Sequence, residues 1–384
     1  MRLGLIKDNI ELPLQDGFLL CDETGTEQVR LLALISRGGS CLAYRGVRSR
    51  NGRNFACIVK EYFPKEAYED GIYIRDNVGD DIKILPEYRE KELQIQKENV
   101  ERELAMNQNI YFNPGEDQSN NPYAFQLERL CTKKGDTSYL IIDTDEGETL
   151  YSTMEKSLCP EDCLKYIYQL LVIVRHLSKK GYIHGDIKPE NIYVRGQGAN
   201  ANLCLLDFGS VVPLREYQKD LSQLSVKEIF ASADQIILNT TLGSTTREYG
   251  SMGLLAIRNH KRLYKSADPS FERAQALIEA VNQLSVKDDL YSVVKITEEL
   301  FEKADMDQEQ RASIKDTLAD IRLKNQNTGY QSVEELRGDI EILETILHNG
   351  AHPAVLTKNM AESGIFDLPD DFDEELLCEV CEAE

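Results

Sequence analysis

The stretch GYIHGDIKPENIYV, from Gly181 to Val194, places a histidine, an aspartate, a lysine and an asparagine in one short polar loop. The segment before it, CLKYIYQLLVIVRHLSKK, has apolar residues at helical spacing, and the segment after it, NLCLLDFG, is typical of a buried strand. Loops held by rigid elements commonly carry the chemistry of a protein. We therefore expect this loop to hold catalytic groups.

Composition limits the classes of function that the chain can serve. Its 384 residues are 41% hydrophobic, enough for a sizeable core, and 66 acidic against 44 basic residues give a formal net charge of −22. That charge argues against nucleic acid or an anionic membrane as a general partner. Charges and a proline interrupt the N-terminal MRLGLIKDNIELPLQDG, and no apolar run approaches the roughly 20 residues of a membrane span. We expect a soluble, cytoplasmic protein.

The pattern along the chain predicts two regions of different character. Residues 18–67 alternate between strand-like runs and turn residues, which favours an antiparallel sheet. The charged segment Tyr88 to Gln108 is the first convincing helix, and after Glu146 the pattern becomes mainly helical. A small sheet-rich lobe is thus expected before a larger helical one, an α+β fold. The apolar positions predicted on one side of the first helix are Leu93, Val100 and Leu104.

The polar loop has the groups that phosphoryl transfer requires. That reaction needs an oriented nucleophile, a neutralised polyanion and metal ions held against the phosphates. Asp186 could accept a hydrogen bond from a substrate hydroxyl, and Lys188 could offset developing charge. Asn191 and, after the next strand, Asp207 could offer oxygen atoms to magnesium. Each residue alone has an ordinary role in a turn or on the surface, but their ordered combination favours chemistry. His184 is expected to hold the loop.

HGDIKPENI followed by DFG resembles the catalytic and magnesium-binding loops of the eukaryotic-type protein kinase family. The resemblance extends upstream to ACIVKEY, where Lys60 matches the lysine that grips the nucleotide phosphates, and EYFP after it is similar to bacterial members. It covers roughly Leu31 to Leu347. The resemblance implies a bilobal protein kinase-like fold, with a small antiparallel-sheet N-lobe and a larger, mainly helical C-lobe.

The same resemblance implies the residues of the site. The family pairs the lysine with a helical glutamate, for which Glu103 is the first choice and Glu98 and Glu92 are alternatives. YLIIDTDEGETL resembles the hinge, with Ile142 as gatekeeper, and Asp289 would tie a central helix to the catalytic loop. The implied catalytic residues are Asp186, Lys188, Lys60 and Glu103, and the implied ligands of Mg²⁺ are Asn191 and Asp207. The residues expected to contact ATP are Ile35, Gly38, Gly39, Ala43, Lys60, Ile142, Asp143, Thr144, Asp145 and Tyr193.

The resemblance divides the chain into four segments. They are residues 1–30 as an N-terminal extension with the first strand, 31–145 as the N-lobe, 146–350 as the C-lobe and 351–384 as an acidic tail. From Asn359 to Glu384 the tail has many acids and no lysine or arginine, and Phe366 and Phe372 are among its spaced apolar residues. We expect either a solubilising end or a segment that docks on a partner or on the kinase domain itself.

Three departures from the family pattern bear on function. Ser36 and Cys41 occupy the outer glycine positions of ISRGGSCLAYRG. Gly185 replaces the arginine that often binds a phosphate on the activation segment, so activity is not expected to depend on that phosphate. The APE landmark is missing, and its nearest counterpart is GSTTREYGSMG, from Gly243 to Gly253.

Three functions agree with these residues. The first is a serine/threonine protein kinase that uses ATP on a protein substrate, because DIKPEN places a lysine two residues after the aspartate. The second is a small-molecule phosphotransferase of the aminoglycoside or choline kinase type, whose catalytic loop also opens with HGD. The third is a pseudokinase scaffold, which the altered glycine loop favours and which the retained Lys60, Asp186, Asn191 and Asp207 oppose.

Overall fold

The structure is a computed structural model that describes residues 14, 17–21, 27–37, 40–75, 82–111, 125–130, 136–144, 147–196, 201–239, 248–265 and 270–348. Gly38, Gly39, Asp145 and the tail 351–384, all singled out by the sequence, lie outside these residues. The chain divides into two compact units. Unit 1 comprises Met1–Asn120 and Ala124–Glu146, and unit 2 comprises Asn121–Tyr123 and Gly147–Glu384. The division falls beside the lobe boundary predicted at Glu146.

Unit 1 is built on a six-stranded antiparallel sheet with the strand order β1-β2-β3-β4-β8-β7. The turn between β3 and β4 consists of Asn51 and Gly52, both with positive φ, which matches the twist of a two-residue hairpin. The sheet confirms the predicted antiparallel region. Its strands are β1 (Leu19–Cys21), β2 (Gln28–Arg37), β3 (Cys41–Arg50), β4 (Arg53–Tyr62), β7 (Leu127–Leu130) and β8 (Tyr139–Thr144).

The register of the sheet gives its two faces different roles. Ala43 lies opposite Lys60 on β4, and Ile58 lies opposite Ile142 on β8, so these four side chains share one face. The other face packs against a buried, mainly apolar core. That core includes Leu14, Val29, Leu31, Tyr44, Val59, Tyr139 and Ile141.

A short insertion and one long helix complete unit 1. The insertion follows β4 and consists of α1 (Lys65–Glu69) and the paired strands β5 (Tyr73–Ile74) and β6 (Lys83–Ile84). The helix is α2 (Pro86–Tyr111), which includes the segment predicted to be helical.

The buried face of α2 differs from the sequence prediction. Val100 is buried, but Leu93 and Leu104 are only half-buried, because the helix packs on a face that is largely polar. An apolar periodicity cannot reveal such a face, since polar side chains there are satisfied by partners elsewhere in the fold. The buried side chains of α2 are Glu92, Gln96, Val100, Glu103, Asn107, Ile110 and Tyr111.

Unit 2 is mainly helical, as predicted. The central helix α9 packs against α4 and is buried over most of its length. No described helix combines the length and the apolar character that a bilayer span requires. The helices are α3 (Leu150–Met154), α4 (Pro160–Lys180), α5 (Leu214–Tyr217), α6 (Val226–Asn239), α7 (Met252–Lys265), α8 (Phe271–Asn282), α9 (Val286–Lys303), α10 (Gln308–Asn327) and α11 (Val333–Leu347).

Short strands hold the polar loop in unit 2. The loop leaves α4 at Gly181, whose φ of 81° ends the helix in the left-handed conformation. It is then bounded by two small sheets, so both of its ends are fixed by backbone hydrogen bonds. One sheet pairs β10 (Tyr182–Ile183) with β13 (Val212–Pro213), and the other has the order β12 (Asn202–Leu205), β11 (Ile192–Arg195) and β9 (Gly147–Thr149).

Gly147 is expected to be sensitive to any side chain. A Cβ atom there would lie 2.2 Å from the carbonyl oxygen of Val194 and 2.7 Å from the ring of Tyr193. Gly147→Ala should force the backbone apart and lower the free energy of unfolding by about 1 to 3 kcal/mol, measured by urea denaturation. The control is Gly338→Ala on α11, where a Cβ meets no atom within 4 Å. That change should raise stability by about 0.5 to 1 kcal/mol. Equal effects of the two changes would contradict the expectation.

Candidate active site

The polar loop is anchored to α9 through one carboxylate. The backbone N–H groups of His184 and Gly185 donate to Asp289 Oδ2 and Oδ1 over 2.8 and 3.0 Å. Gly185 has a φ of 76°, in the left-handed region that glycine adopts without steric cost. Burial raises the pKa of the Asp289 carboxyl to about 7, and the two amide donors oppose that rise. The loop conformation is therefore set by a fully buried bidentate contact, as expected of Asp289.

The carboxylate of Asp186 is fixed by two hydrogen bonds within the loop. Its Oδ2 accepts a hydrogen bond from Lys188 Nζ at 2.8 Å and another from Asn191 Nδ2 at 2.9 Å. Burial raises the pKa of Asp186, whereas the charge of Lys188 and these hydrogen bonds lower it. The side chain is only 5% exposed. Three of the predicted residues thus form one cluster with a defined carboxylate orientation.

Asp207 follows β12 next to this cluster. The N–H of Leu206 donates to the carbonyl oxygen of Asn191 at 2.8 Å, which ties the two segments together. Asp207 adopts a φ of 61°, and its Oδ1 accepts the N–H of Gly209 at 3.3 Å. A non-glycine residue in this region carries a strain of about 1 kcal/mol or more, and such strain is concentrated at functional sites.

The packing of two buried rings supports the loop. His184 is completely buried and packs edge-on against Phe208, with 5.8 Å between the ring centroids. Phe208 is itself 1% exposed. The contact agrees with the expected structural role of His184, because the imidazole fixes the loop relative to the segment after Asp207.

The cluster offers oxygen atoms to a hard cation. Asn191 uses Nδ2 as a donor, so its Oδ1 is the atom that it can offer, and Asp207 supplies a carboxylate. Magnesium is commonly held by one or two carboxylates plus substrate phosphates, and this donor set fits that preference. Among the residues that the structure describes, no three His, Cys, Asp or Glu side chains gather as an all-protein metal cage.

In unit 1 the structure brings Lys60 and Glu103 together. Lys60 Nζ lies 2.5 Å from Glu103 Oε1, and the two residues are 8% and 7% exposed. The alternatives chosen from the sequence have other contacts. Glu92 accepts a hydrogen bond from Tyr73, and Glu98 accepts one from Gln94 on the exposed side of α2.

The predicted nucleotide-contacting residues fall at several places. Ala43 and Ile142 lie on the sheet face of Lys60, whereas Ile35, at an irregularity between β2 and β3, is 39% exposed. Thr144 is half-buried at the end of β8. In unit 2, Tyr193 is buried on β11 opposite Thr149.

Asp143 has a contact that the sequence did not suggest. Its Oδ2 accepts a hydrogen bond from Arg48 Nη1 at 2.9 Å, and Arg48 also contacts Glu27 and Glu128. Burial raises the pKa of the Asp143 carboxyl, and the guanidinium opposes that rise. An arginine within a strand-like run has no periodic signature, so only its tertiary contacts identify this role.

The counterpart of the missing APE landmark is also tied to α9. Ser251 Oγ donates to Asp288, and Ser292 Oγ donates to the carbonyl oxygen of Tyr249 at 2.8 Å. A Cβ on Gly253 would lie 2.6 Å from Asp288 Oδ1, so a larger residue there would displace that carboxylate. Residues 243–247 of this segment lie outside the described residues. The sequence feature that could have indicated this contact is the pair of adjacent acids, Asp288 and Asp289, at the start of α9.

Comparison with known proteins points to one family. A protein kinase domain model matches residues 81–320. Mitogen-activated protein kinase 3 of Arabidopsis thaliana is 28% identical over 130 residues, which are 33% of this chain and 33% of that protein. The human serine/threonine-protein kinase MRCK gamma is 34% identical over 95 residues, 24% of this chain and 6% of that protein. The chain thus spans a third or less of these two relatives.

The solved structures that are similar to this chain include one at low identity. It is the kinase domain of PknI from Mycobacterium tuberculosis, with 11% sequence identity and a TM-score of 0.41. The comparison covers 87% of this chain and 99% of that one.

Removing the Asp289 carboxylate should destabilise unit 2 strongly. Asp289→Ala leaves two buried N–H groups without their acceptor, which should lower the free energy of unfolding by about 2 to 4 kcal/mol in urea denaturation. Asp307→Ala is the matched control, because Asp307 also accepts a backbone N–H but does so at the exposed start of α10. Its loss should cost about 1 kcal/mol. A loss at Asp289 no larger than that at Asp307 would contradict the anchoring role.

Proposed function

This chain belongs to the protein kinase family, and from that membership we propose that it is a serine/threonine protein kinase, which transfers the γ-phosphate of ATP to hydroxyl groups of a protein substrate. The observation that carries the proposal is the buried cluster of Asp186, Lys188 and Asn191 on a loop anchored to Asp289. A chain that only binds a partner has no need of a carboxylate held in this way.

Asp186 is proposed to orient the attacking hydroxyl. Lys188 and Asn191 both donate to Oδ2, so Oδ1 is the oxygen that can accept the hydrogen bond of a substrate hydroxyl. The hydroxyl proton would pass to this carboxylate as the bond from the hydroxyl oxygen to the γ-phosphorus forms and the bond from that phosphorus to ADP breaks. Lys188, already beside the carboxylate, would offset negative charge on the transferred group.

Asn191 and Asp207 are proposed to hold magnesium through their side-chain oxygens. Magnesium, when bound, would neutralise phosphate oxygens and favour departure of the leaving group. The support is the chemistry of the two donors and the left-handed backbone of Asp207, which is a strained conformation kept beside the loop.

Lys60 is proposed to contact the phosphates of ATP. Its pairing with Glu103 fixes the ammonium group in one position, which reduces the reorganisation needed when a polyanion binds. Ala43 and Ile142 share its sheet face and are proposed to contact the nucleotide, together with backbone groups of Asp143 and Thr144.

The same geometry distinguishes the alternatives. Retention of Lys60, Asp186, Asn191 and Asp207 opposes a pseudokinase scaffold, since binding alone does not require all four. A lysine at position 188 opposes a small-molecule phosphotransferase. Cytoplasmic location, the absence of nucleic-acid and membrane partners, and docking by the acidic tail stay predictions from the sequence.

The catalytic proposal predicts different effects for two aspartates. Asp186→Asn should lower phosphoryl transfer at least about 100-fold and leave Mg·ATP affinity near that of the parent. Asp207→Ala should weaken magnesium-dependent ATP binding in calorimetry. Transfer is measured with labelled ATP and a generic protein acceptor, and mass spectrometry should find phosphoserine or phosphothreonine. Asp316→Asn, on the exposed side of α10, is the matched control and should leave the rate unchanged.

Three results would contradict the proposal. Transfer by Asp186→Asn at the parent rate would exclude its role. Label on an added small alcohol, without any on protein, would favour the small-molecule phosphotransferase. Nucleotide binding without transfer by the parent would favour the scaffold.

A further prediction follows from Gly185, which replaces the cation that would read a phosphate on the activation segment. Basal activity should not require phosphate there, so phosphatase treatment followed by removal of the phosphatase should leave the initial rate unchanged. Mass spectrometry must confirm that any phosphate on Ser244, Thr245 or Thr246 has been removed. A large loss of rate that autophosphorylation restores would contradict this expectation.

A further inference from the structure

The insertion between β4 and α2 connects the two elements that carry Lys60 and Glu103. Tyr73, on β5 of the insertion, is 1% exposed and reaches α2 with its hydroxyl group. That hydroxyl donates to Glu92 Oε2 at 3.3 Å and accepts from Gln96 Nε2 at 2.9 Å. Burial raises the pKa of Tyr73, so the hydroxyl stays protonated and remains a donor. The insertion therefore makes a specific polar contact with the helix.

The same insertion is fixed to β4 at the residue after Lys60. Arg75, which directly follows β5, forms a fully buried ion pair with Glu61. Glu61 also accepts hydrogen bonds from the hydroxyls of Tyr44 at 2.8 Å and Tyr139 at 3.2 Å. A buried pair with this many donors has one favoured geometry, because loss of any partner leaves an unsatisfied buried group. Tyr73 is therefore held in a fixed position relative to β4.

A second contact holds α2 near its other end. Asn107 Nδ2 donates to the carbonyl oxygen of Phe125 at 3.1 Å, and Asn107 Oδ1 accepts the N–H of Leu127 at 3.3 Å. Glu103 lies one turn before Asn107, on the same buried face. The helix is thus attached near both ends by directional polar bonds, with Glu103 between them.

From these contacts we propose that Tyr73 is a positioning residue, which keeps Glu103 on Lys60 by fixing the tilt of α2. The inference rests on the proposed function, since it concerns the same ion pair. Loss of the contact with Tyr73 removes one of the bonds that oppose a tilt of the helix about Asn107. Glu103 lies about 6 Å along the axis from that pivot, so a tilt of about 10° moves it by about 1 Å. A shift of that size is large for a hydrogen bond and for a catalytic group.

The polar face of α2 makes this role possible. Contacts in an apolar interface are not directional, whereas each hydrogen bond on this face has a required length and direction. Gln96 strengthens the attachment, because its Nε2 also donates to the carbonyl oxygen of Asp136 at 2.8 Å. Asn99 adds a bond to the hydroxyl of Tyr62 at 3.0 Å. Small changes in the insertion should therefore reach Glu103.

The first test measures Lys60 without any phosphoryl transfer. In the parent, the buried ion pair with Glu103 hinders access to the amine, so an amine-acylating reagent should modify Lys60 slowly. Tyr73→Phe should raise the modification rate of Lys60 about fivefold, read by mass spectrometry, and Glu103→Gln should raise it further. Gln96→Leu is a second variant, which removes the hydrogen bond that Tyr73 accepts from α2, together with the bond to the carbonyl oxygen of Asp136.

Tyr168→Phe is the matched control. Tyr168 is a buried tyrosine of unit 2 whose hydroxyl donates to Glu344 Oε2 at 2.5 Å, and it has no part in α2 or in the loop. It loses the same atom, from a shorter hydrogen bond to a carboxylate. Its effect on global stability should be at least as large as that of Tyr73→Phe, while the modification rate of Lys60 should not change.

The second test is a double-mutant cycle on the rate of transfer. Tyr73→Phe should lower kcat about fivefold in the parent and have almost no effect in the Glu103→Gln background, where no ion pair remains to be positioned. Tyr168→Phe should have the same small effect in both backgrounds. A structural role of Tyr73 alone would give equal losses in the two backgrounds.

The outcomes separate this inference from the proposed function. Faster modification of Lys60 in Tyr73→Phe and Gln96→Leu, but not in Tyr168→Phe, supports positioning even if no variant transfers phosphate. Transfer by the parent together with unchanged modification of Lys60 in both variants overturns the positioning role and leaves the kinase proposal intact. Additive losses in the cycle overturn it as well.

Discussion

The buried carboxylate of Asp289 is the contact on which the arrangement of unit 2 depends. It accepts two consecutive backbone N–H groups, and this fixes the conformation of the loop immediately before Asp186. Asp186 then orients Lys188 and Asn191, and Asn191 in turn joins its backbone to the segment of Asp207. The chemistry-bearing side chains are therefore positioned by linked contacts that begin at this buried residue of α9, together with the two small sheets that fix the ends of the loop.

In unit 1, the side chains of Lys60 and Glu103 are positioned in a different way. Its central ion pair joins a strand to a helix, and the helix is attached through polar side chains instead of an apolar stripe. Such an interface favours one position of the helix more strongly than an apolar interface does. A hydrogen bond is lost when its atoms are displaced, whereas a displaced methyl group can still make van der Waals contacts with other atoms. The fully buried ion pair between Glu61 and Arg75 likewise favours one position for the residue next to Lys60.

The sequence predicted the polar loop well, since its groups are close in the chain and each has a distinct chemical role. The antiparallel sheet could also be predicted from the sequence, because turn residues such as Asn51 and Gly52 have strong conformational preferences. Selection of Glu103 relied on its phase relative to Val100, and the structure places it against Lys60.

Other features depend on contacts between distant segments. The polar face of α2 contradicts a prediction based on apolar spacing, and the role of Arg75 requires a partner 14 residues away. No local pattern distinguishes a buried, paired arginine from an exposed one, because the difference lies in tertiary partners that periodicity does not encode. The same holds for Arg48, whose three acidic partners come from three separate parts of unit 1.

The left-handed backbone of Gly185 restricts how this loop can change by mutation. Any other residue at that position would carry a conformational cost of about 1 kcal/mol or more, in a backbone already constrained by its bond to Asp289. An arginine introduced by one substitution would thus bring a new cation together with a strained loop.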